Sequence, residues 1–247
     1  MLKNNCDERE SLLNTHHPFY ASPDLESCQP TPPATDTKER VFNKRPLAAI
    51  DCLDKSLSCK IQTLELPSVV EYTLILPFAL LFNRYQCFAA AFTSAFFAFC
   101  WPQYSGQAQS FKGGLCASLI FFCYQVILVF GTLFVTQNVK KLTNRPRPYL
   151  AQAFPFKRRV DLTALEHGTC SMPSGDTCQA SLWCTLLFFI YGGENILLLM
   201  CLMPVMVGFC RVYFQCHYIG DVAIGAAIGF AIGYAGAAMY PVFFHTF

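Results

Sequence analysis

The sequence predicts an all-α, polytopic membrane helix bundle of about six transmembrane helices, and three features carry that reading. Of the 247 residues, 53% are hydrophobic and only 14% are charged. From Val69 onward, apolar runs recur with few charges inside them, a pattern suited to a bilayer rather than to a soluble core. The unusual polar residues of that region gather at the ends of the runs. The net charge of +2 says little about partners, and no nucleic-acid partner is expected, because the one basic cluster, Lys140 to Arg159, lies between membrane-length segments.

Two regions are expected. Residues 1–66 form a polar tail, largely disordered, with Pro30, Pro32 and Pro33 among Ser, Thr and Asp. Its last part, Ile50 to Leu66, is expected against the membrane surface. Residues 67–247 form the membrane domain. Its spans are expected at Val69–Phe82, Cys87–Trp101, Leu115–Val139, Thr177–Tyr191, Ile196–Tyr213 and His217–Tyr240. The first two are short and also fit one broken hairpin. Pro77 and Pro204 are tolerable in such helices, where neighbours satisfy the freed backbone groups. The fourteen cysteines contain no C-x-x-C pair, so no zinc site is expected.

Six spans would put both termini on one side. The end of the third, the start of the fourth, the end of the fifth and the start of the sixth then share the other side. Those four ends hold three polar clusters.

The first cluster is Lys140-Lys141-Leu142-Thr143-Asn144-Arg145-Pro146-Arg147-Pro148. Lys offers a point charge and Arg a fork of donors, which together suit a phosphate. Alone, the cluster reads equally as a basic patch under lipid headgroups. Within it, Lys140 and Arg147 compete with Lys141 and Arg145. The second cluster is Pro173-Ser174-Gly175-Asp176, directly before an apolar run. Ser174 reads as a helix N-cap, and the backbone donors around Ser174 and Gly175 as an anion seat. The third runs from Arg211 to Asp221. His217 and Asp221 are four residues apart and share a helix face. A carboxylate bonded to one ring nitrogen leaves the other free to attack. Ionisable groups at a membrane helix end imply use. Gly225, Gly229 and Gly233 continue the same stripe and predict close helix packing.

In order and spacing the clusters resemble the type-2 phosphatidic acid phosphatase family, whose signature reads K-x6-R-P, P-S-G-H and S-R-x5-H-x3-D. The resemblance implies a metal-independent lipid phosphate or diphosphate phosphatase with no cofactor. His217 would be the nucleophile, forming a phosphohistidine, and Asp221 would orient it. Lys140, Arg147, Ser174, Gly175 and Arg211 would bind the phosphate. Cys210 replaces the usual Ser. Asp176 replaces the His that protonates the leaving group, so Asp176 itself is the expected acid, with His167 of the long loop as a substitute. A head-group transferase of the sphingolipid-synthase type and a pseudophosphatase that binds lipid phosphates are the alternatives. The expected location is the endoplasmic reticulum or another internal membrane, with a cytosolic tail and a lumenal site.

Overall fold

The computed structural model describes residues 45–82, 87–104, 111–151, 154, 158–163, 166, 168–192 and 194–244. Residues 1–44 of the expected tail and His167 lie outside the described residues. The described chain is helical: α1 (Arg45–Gln62), α2 (Ser68–Val70), a π-helical turn (Glu71–Ile75), α3 (Leu76–Leu81), α4 (Cys87–Tyr104), α5 (Phe111–Thr143), α6 (Pro148–Ala151), α7 (Gly175–Tyr191), α8 (Glu194–Tyr213) and α9 (Ile219–Phe244). Gly113–Thr143 and Ile219–Tyr240 are each long and apolar enough to cross a membrane. The apolar stretch of α7 begins at Thr177, one residue after Asp176.

The seam of α7 with α9 is the tightest in the bundle. A Cβ at Gly225 would stand 2.4 Å from the Ser174 carbonyl oxygen, and one at Gly229 would stand 2.1 Å from that of Cys178. At Gly233 the nearest neighbours are Thr185 Cβ at 2.8 Å and the Leu182 oxygen at 3.1 Å. The glycine stripe therefore lets backbone meet backbone, as small-residue membrane interfaces do. A hydrogen bond from Ser174 N to Asp221 O, 2.9 Å, closes the top of the seam. The start of α7 and the start of α9 are thus fixed to each other.

The path of the first two apolar segments differs from six alternating spans. Glu71, at the start, faces Arg159 at 4.0 Å, near the end of α8. The Ala79 carbonyl faces Arg211, and Phe82 packs with Ala180 and Val207. The segment therefore descends from the end of α8 toward its middle. Further along, Trp183 Nε1 donates to the Ala90 carbonyl, Phe92 meets Phe122, and Phe99 lies 3.5 Å from a Cβ built at Gly114. Because α5 rises toward Lys140, contacts running from Phe122 to Gly114 mean that α4 also descends. The two short segments thus run in the same direction. Taken together as one pass, they join α5, α7, α8 and α9 as five passes of the bundle among the described residues.

The odd count changes what lies beside what. Residues 45–62, expected within the loose tail, form the helix α1, and it sits at the end of the bundle where Arg145, Ile219 and Gly220 lie. The expected opposition between site and N-terminal segment therefore does not hold for α1. Its pattern is amphipathic in an unusual sense. Asp51, Asp54, Ser58 and Gln62, spaced three and four apart, face the protein, while Ile50, Leu53 and Leu57 are exposed. An apolar face turned outward beside a membrane domain suits the bilayer interface, as expected for the stretch from Ile50. Arg158 fastens the exit of α1 to α8: it donates to the carbonyls of Gln62 and Leu64 at 2.7 Å and to that of Tyr213 at 3.0 Å, and it lies over the Tyr213 ring.

Candidate active site

The end of α5, the start of α7, the end of α8 and the start of α9 converge. Arg147 is fully buried, and Arg211, His217 and Asp221 nearly so. Arg147 Nη1 lies 3.4 Å from His217 Nε2 and 3.2 Å from the Cys216 carbonyl, while Nε donates to the Gly168 carbonyl at 3.0 Å. Arg211 Nη1 lies 3.1 Å from Asp176 Oδ2. Lys140 is within electrostatic reach of Arg147, Asp176 and Arg211, whereas Lys141 is exposed. So Lys140 belongs to the cluster and Lys141 does not.

Three cations gathered together, two of them buried, demand an anion. The fold supplies one that the sequence did not suggest. Glu166 pairs with Arg147 Nη1 at 2.7 Å through one oxygen and with Arg211 Nη2 through the other. Arg147 Nη2 and Arg211 Nε are buried with no hydrogen-bond partner among the described residues. A carboxylate bridging two guanidiniums occupies the kind of position a phosphoryl group takes, and unspent donors remain around it.

His217 lies in the turn before α9. Its Nδ1 points to Asp221 Oδ2 at 3.8 Å, longer than a hydrogen bond, and its Nε2 faces Arg147. Burial, with the charges of Arg147 and Arg211, lowers the imidazole pKa to about 3 against the opposing pull of Asp221. His217 is therefore uncharged at neutral pH, the state a nitrogen nucleophile requires. Asp221 is held by others: its Oδ2 accepts from Tyr218 N at 2.8 Å, and its Oδ1 accepts from Arg145 Nη1 at 2.7 Å. Arg145, the sequence competitor of Arg147, thus serves Asp221 and not the cation cluster.

The second motif is brought in as expected but works differently in detail. Ser174 is fully buried; its hydroxyl pairs with the Thr177 hydroxyl at 3.0 Å, and its backbone N–H is taken by Asp221. Neither is directed to solvent. Gly175 has open space where a Cβ would stand, so the protein's own packing does not require a glycine there. Burial raises the Asp176 carboxyl to about 7, with Lys140 and Arg147 pulling it down. Desolvation thus outweighs the pull of the two cations.

A family model, the PAP2 superfamily, matches residues 118–244, just over half of the chain. The chain belongs to the PAP2 superfamily. Two solved structures share this PAP2 fold. The crystal structure of Aquifex aeolicus LpxE is 23% identical with a TM-score of 0.53, over 75% of this chain and 95% of that one. The crystal structure of a transmembrane PAP2-type phosphatidylglycerolphosphate phosphatase from Bacillus subtilis is 16% identical with a TM-score of 0.51, over 79% of this chain and 88% of that one. No curated protein sequence matches significantly. The expected family and the all-α membrane fold are thereby established, and the PAP2 match begins inside α5, leaving α1 to α4 outside it.

Proposed function

We propose that the chain is a lipid phosphate or diphosphate phosphatase that works through a phosphohistidine on His217. The observation that carries this reading is the position of a neutral, buried His217 Nε2 3.4 Å from Arg147, beside a two-arginine site already filled by a carboxylate. The family membership and the likeness in fold to a PAP2-type phosphatidylglycerolphosphate phosphatase support it.

In the proposed reaction the phosphoryl group displaces Glu166 and is held by Lys140, Arg147 and Arg211, with the first-turn backbone of α7 near Gly175 as a further donor. Nε2 of His217 attacks phosphorus. The bond from phosphorus to the leaving oxygen breaks as Asp176 gives that oxygen its proton. The imidazolium-like ring keeps its Nδ1 proton toward Asp221, which lowers the cost of the developing charge. Water then attacks the phosphohistidine, the Asp176 carboxylate takes its proton, and phosphate leaves. A buried carboxyl with a raised pKa is able to supply the acid where the family uses His. That argues against a pseudophosphatase and needs no help from His167.

The substrate class follows from the setting: a phosphate at the polar helix ends and an acyl or prenyl tail in the bilayer. We place the protein in an internal membrane such as the endoplasmic reticulum, with the site lumenal. The face of α1 is then lumenal too, and the end of α9 cytosolic. The purified protein is expected to release phosphate from phosphatidate, a sphingoid-base phosphate or a prenyl diphosphate in the presence of a chelator. His217→Ala is expected to lower the rate at least about a thousandfold. Release that persists in this variant would sink the mechanism, and transfer of label to ceramide instead of water would point to the transferase.

A further inference from the structure

The helix α1 precedes everything the PAP2 model matches, yet it hydrogen-bonds to the turn that carries His217 and to the start of α9. Ser58 Oγ accepts from Ile219 N at 2.9 Å, and Asp54 Oδ1 accepts from Gly220 N at 2.8 Å. These are two of the backbone donors that a helix start leaves unsatisfied, so α1 caps α9 from outside. Gln62 Nε2 donates to the His217 carbonyl at 3.1 Å. Finally, Gly220 lets α1 come close: a Cβ there would stand 2.7 Å from Asp54 Oδ2.

The same helix holds Arg145. One guanidinium reaches two ways, with Nη1 on Asp221 at 2.7 Å and Nη2 on both Asp51 and Asp54 at 2.7 Å. Its plane lies over the Tyr218 ring, 4.2 Å from the centre. Asp221 is fully buried and Arg145 is 12% exposed. A buried carboxylate needs such a partner, and the partner needs a fixed geometry. Without α1, one end of the fork would have only water to bond.

We propose that α1 is a working part of the catalytic centre, and that Arg145 is a positioning residue that fixes the Asp221–His217 pair by being clamped between α1 and α9. This rests on the phosphohistidine reading above. Arg145 touches no group assigned to the phosphate, so its effect falls on the attack and not on substrate binding. A small displacement of a nucleophile is enough to lower a rate about a hundredfold.

The test uses the full chain in detergent micelles or nanodiscs, with kcat, KM and inhibition by inorganic phosphate measured for each variant. Arg145→Gln is expected to lower kcat about a hundredfold and Asp51→Asn/Asp54→Asn about tenfold, with KM and phosphate inhibition within about threefold of wild type. Arg145→Lys keeps the charge but not the fork, and is expected to recover part of the loss. Amide hydrogen exchange in the peptide spanning residues 217–221 should rise in Asp51→Asn/Asp54→Asn, a readout that needs no activity. Should Arg145→Gln fail to fold, the Asp51→Asn/Asp54→Asn variant decides alone. Wild-type kcat in that variant, unchanged exchange, or a KM that rises in step with the fall in kcat would each overturn the proposal. Activity that survives His217→Ala would instead strike the phosphohistidine reading, and exchange would still judge the clamp.

Discussion

On the His217 side of the centre each charged group is matched by the fold itself. Asp221 has Arg145, Arg145 has Asp51 and Asp54, and Lys55 reaches Asp51 at 2.6 Å. On the Arg147 side the balance is open. Lys140, Arg147 and Arg211 face one firm anion, Glu166, which comes from a loop, and a carboxyl, Asp176, that burial keeps near neutrality. The two sides differ in what holds them as well. The mount is closed by the glycine seam and by backbone hydrogen bonds, whereas the cradle is closed by side chains that an incoming phosphate would displace. In the proposed mechanism the nucleophile is set in advance, and the phosphate site has exchangeable contacts. A site arranged in that way spends substrate affinity on displacing Glu166 and leaves the geometry of attack unchanged.

Three substitutions in the cradle sharpen that contrast. The largest effect is expected for Arg211→Lys, which keeps a charge but loses the fork between Asp176 and the anion. Loss of one charge-assisted contact should lower kcat/KM about 10- to 100-fold, mostly through KM. Steady-state kinetics on phosphatidate would check it, and an effect confined to kcat would erase the distinction between cradle and mount. Next comes Asp176→Asn. An acid that works protonated, with a pKa near 7, is fully competent below that pH and is lost as pH rises through it. The wild type should therefore show an alkaline limb in kcat/KM with its midpoint near 7, and the variant should lack it. His217, neutral above about pH 3, adds no limb in the neutral range. The fall in rate should be greater for a monoester than for a diphosphate, whose leaving group needs less help. A limb that survives in Asp176→Asn assigns the titration to another group. The smallest effect belongs to Glu166→Gln. Removing the resident carboxylate charge should lower KM about two- to fivefold and strengthen phosphate inhibition alike. A raised KM would mean that Glu166 helps to bind substrate.

Much of this was legible in the chain. The three motifs, their order and the glycine stripe at residues 225, 229 and 233 pointed to four helix ends that the fold brings together, because helix periodicity and membrane length are strong local signals. Long-range features were not so legible. Glu166 is a lone acid in a long loop, and only the fold brings it to two arginines. Arg145 and Arg147 stand two residues apart in one basic run, and the sequence has no means of sending one to Asp221 and the other to His217. The path of the first two apolar segments was hard to read for a related reason: hydropathy marks where apolar segments lie, but not whether two consecutive ones turn back or run on. Asp51, Asp54, Ser58 and Gln62 did carry a helical spacing, yet it was hidden inside a segment whose overall composition is polar.

The position of α1 also bears on how the molecule is made. It is the first described element to be synthesised, and its partners arrive late: Arg145 follows Asp54 by 91 residues, and Gly220 follows it by 166. Until the last helix begins to enter the bilayer, Asp54 and Ser58 have no backbone donors from that helix to accept. The outward apolar face of α1 gives it somewhere to wait, on the lipid surface. Assembly of the centre then waits for the last helix, when the start of α9 meets α1.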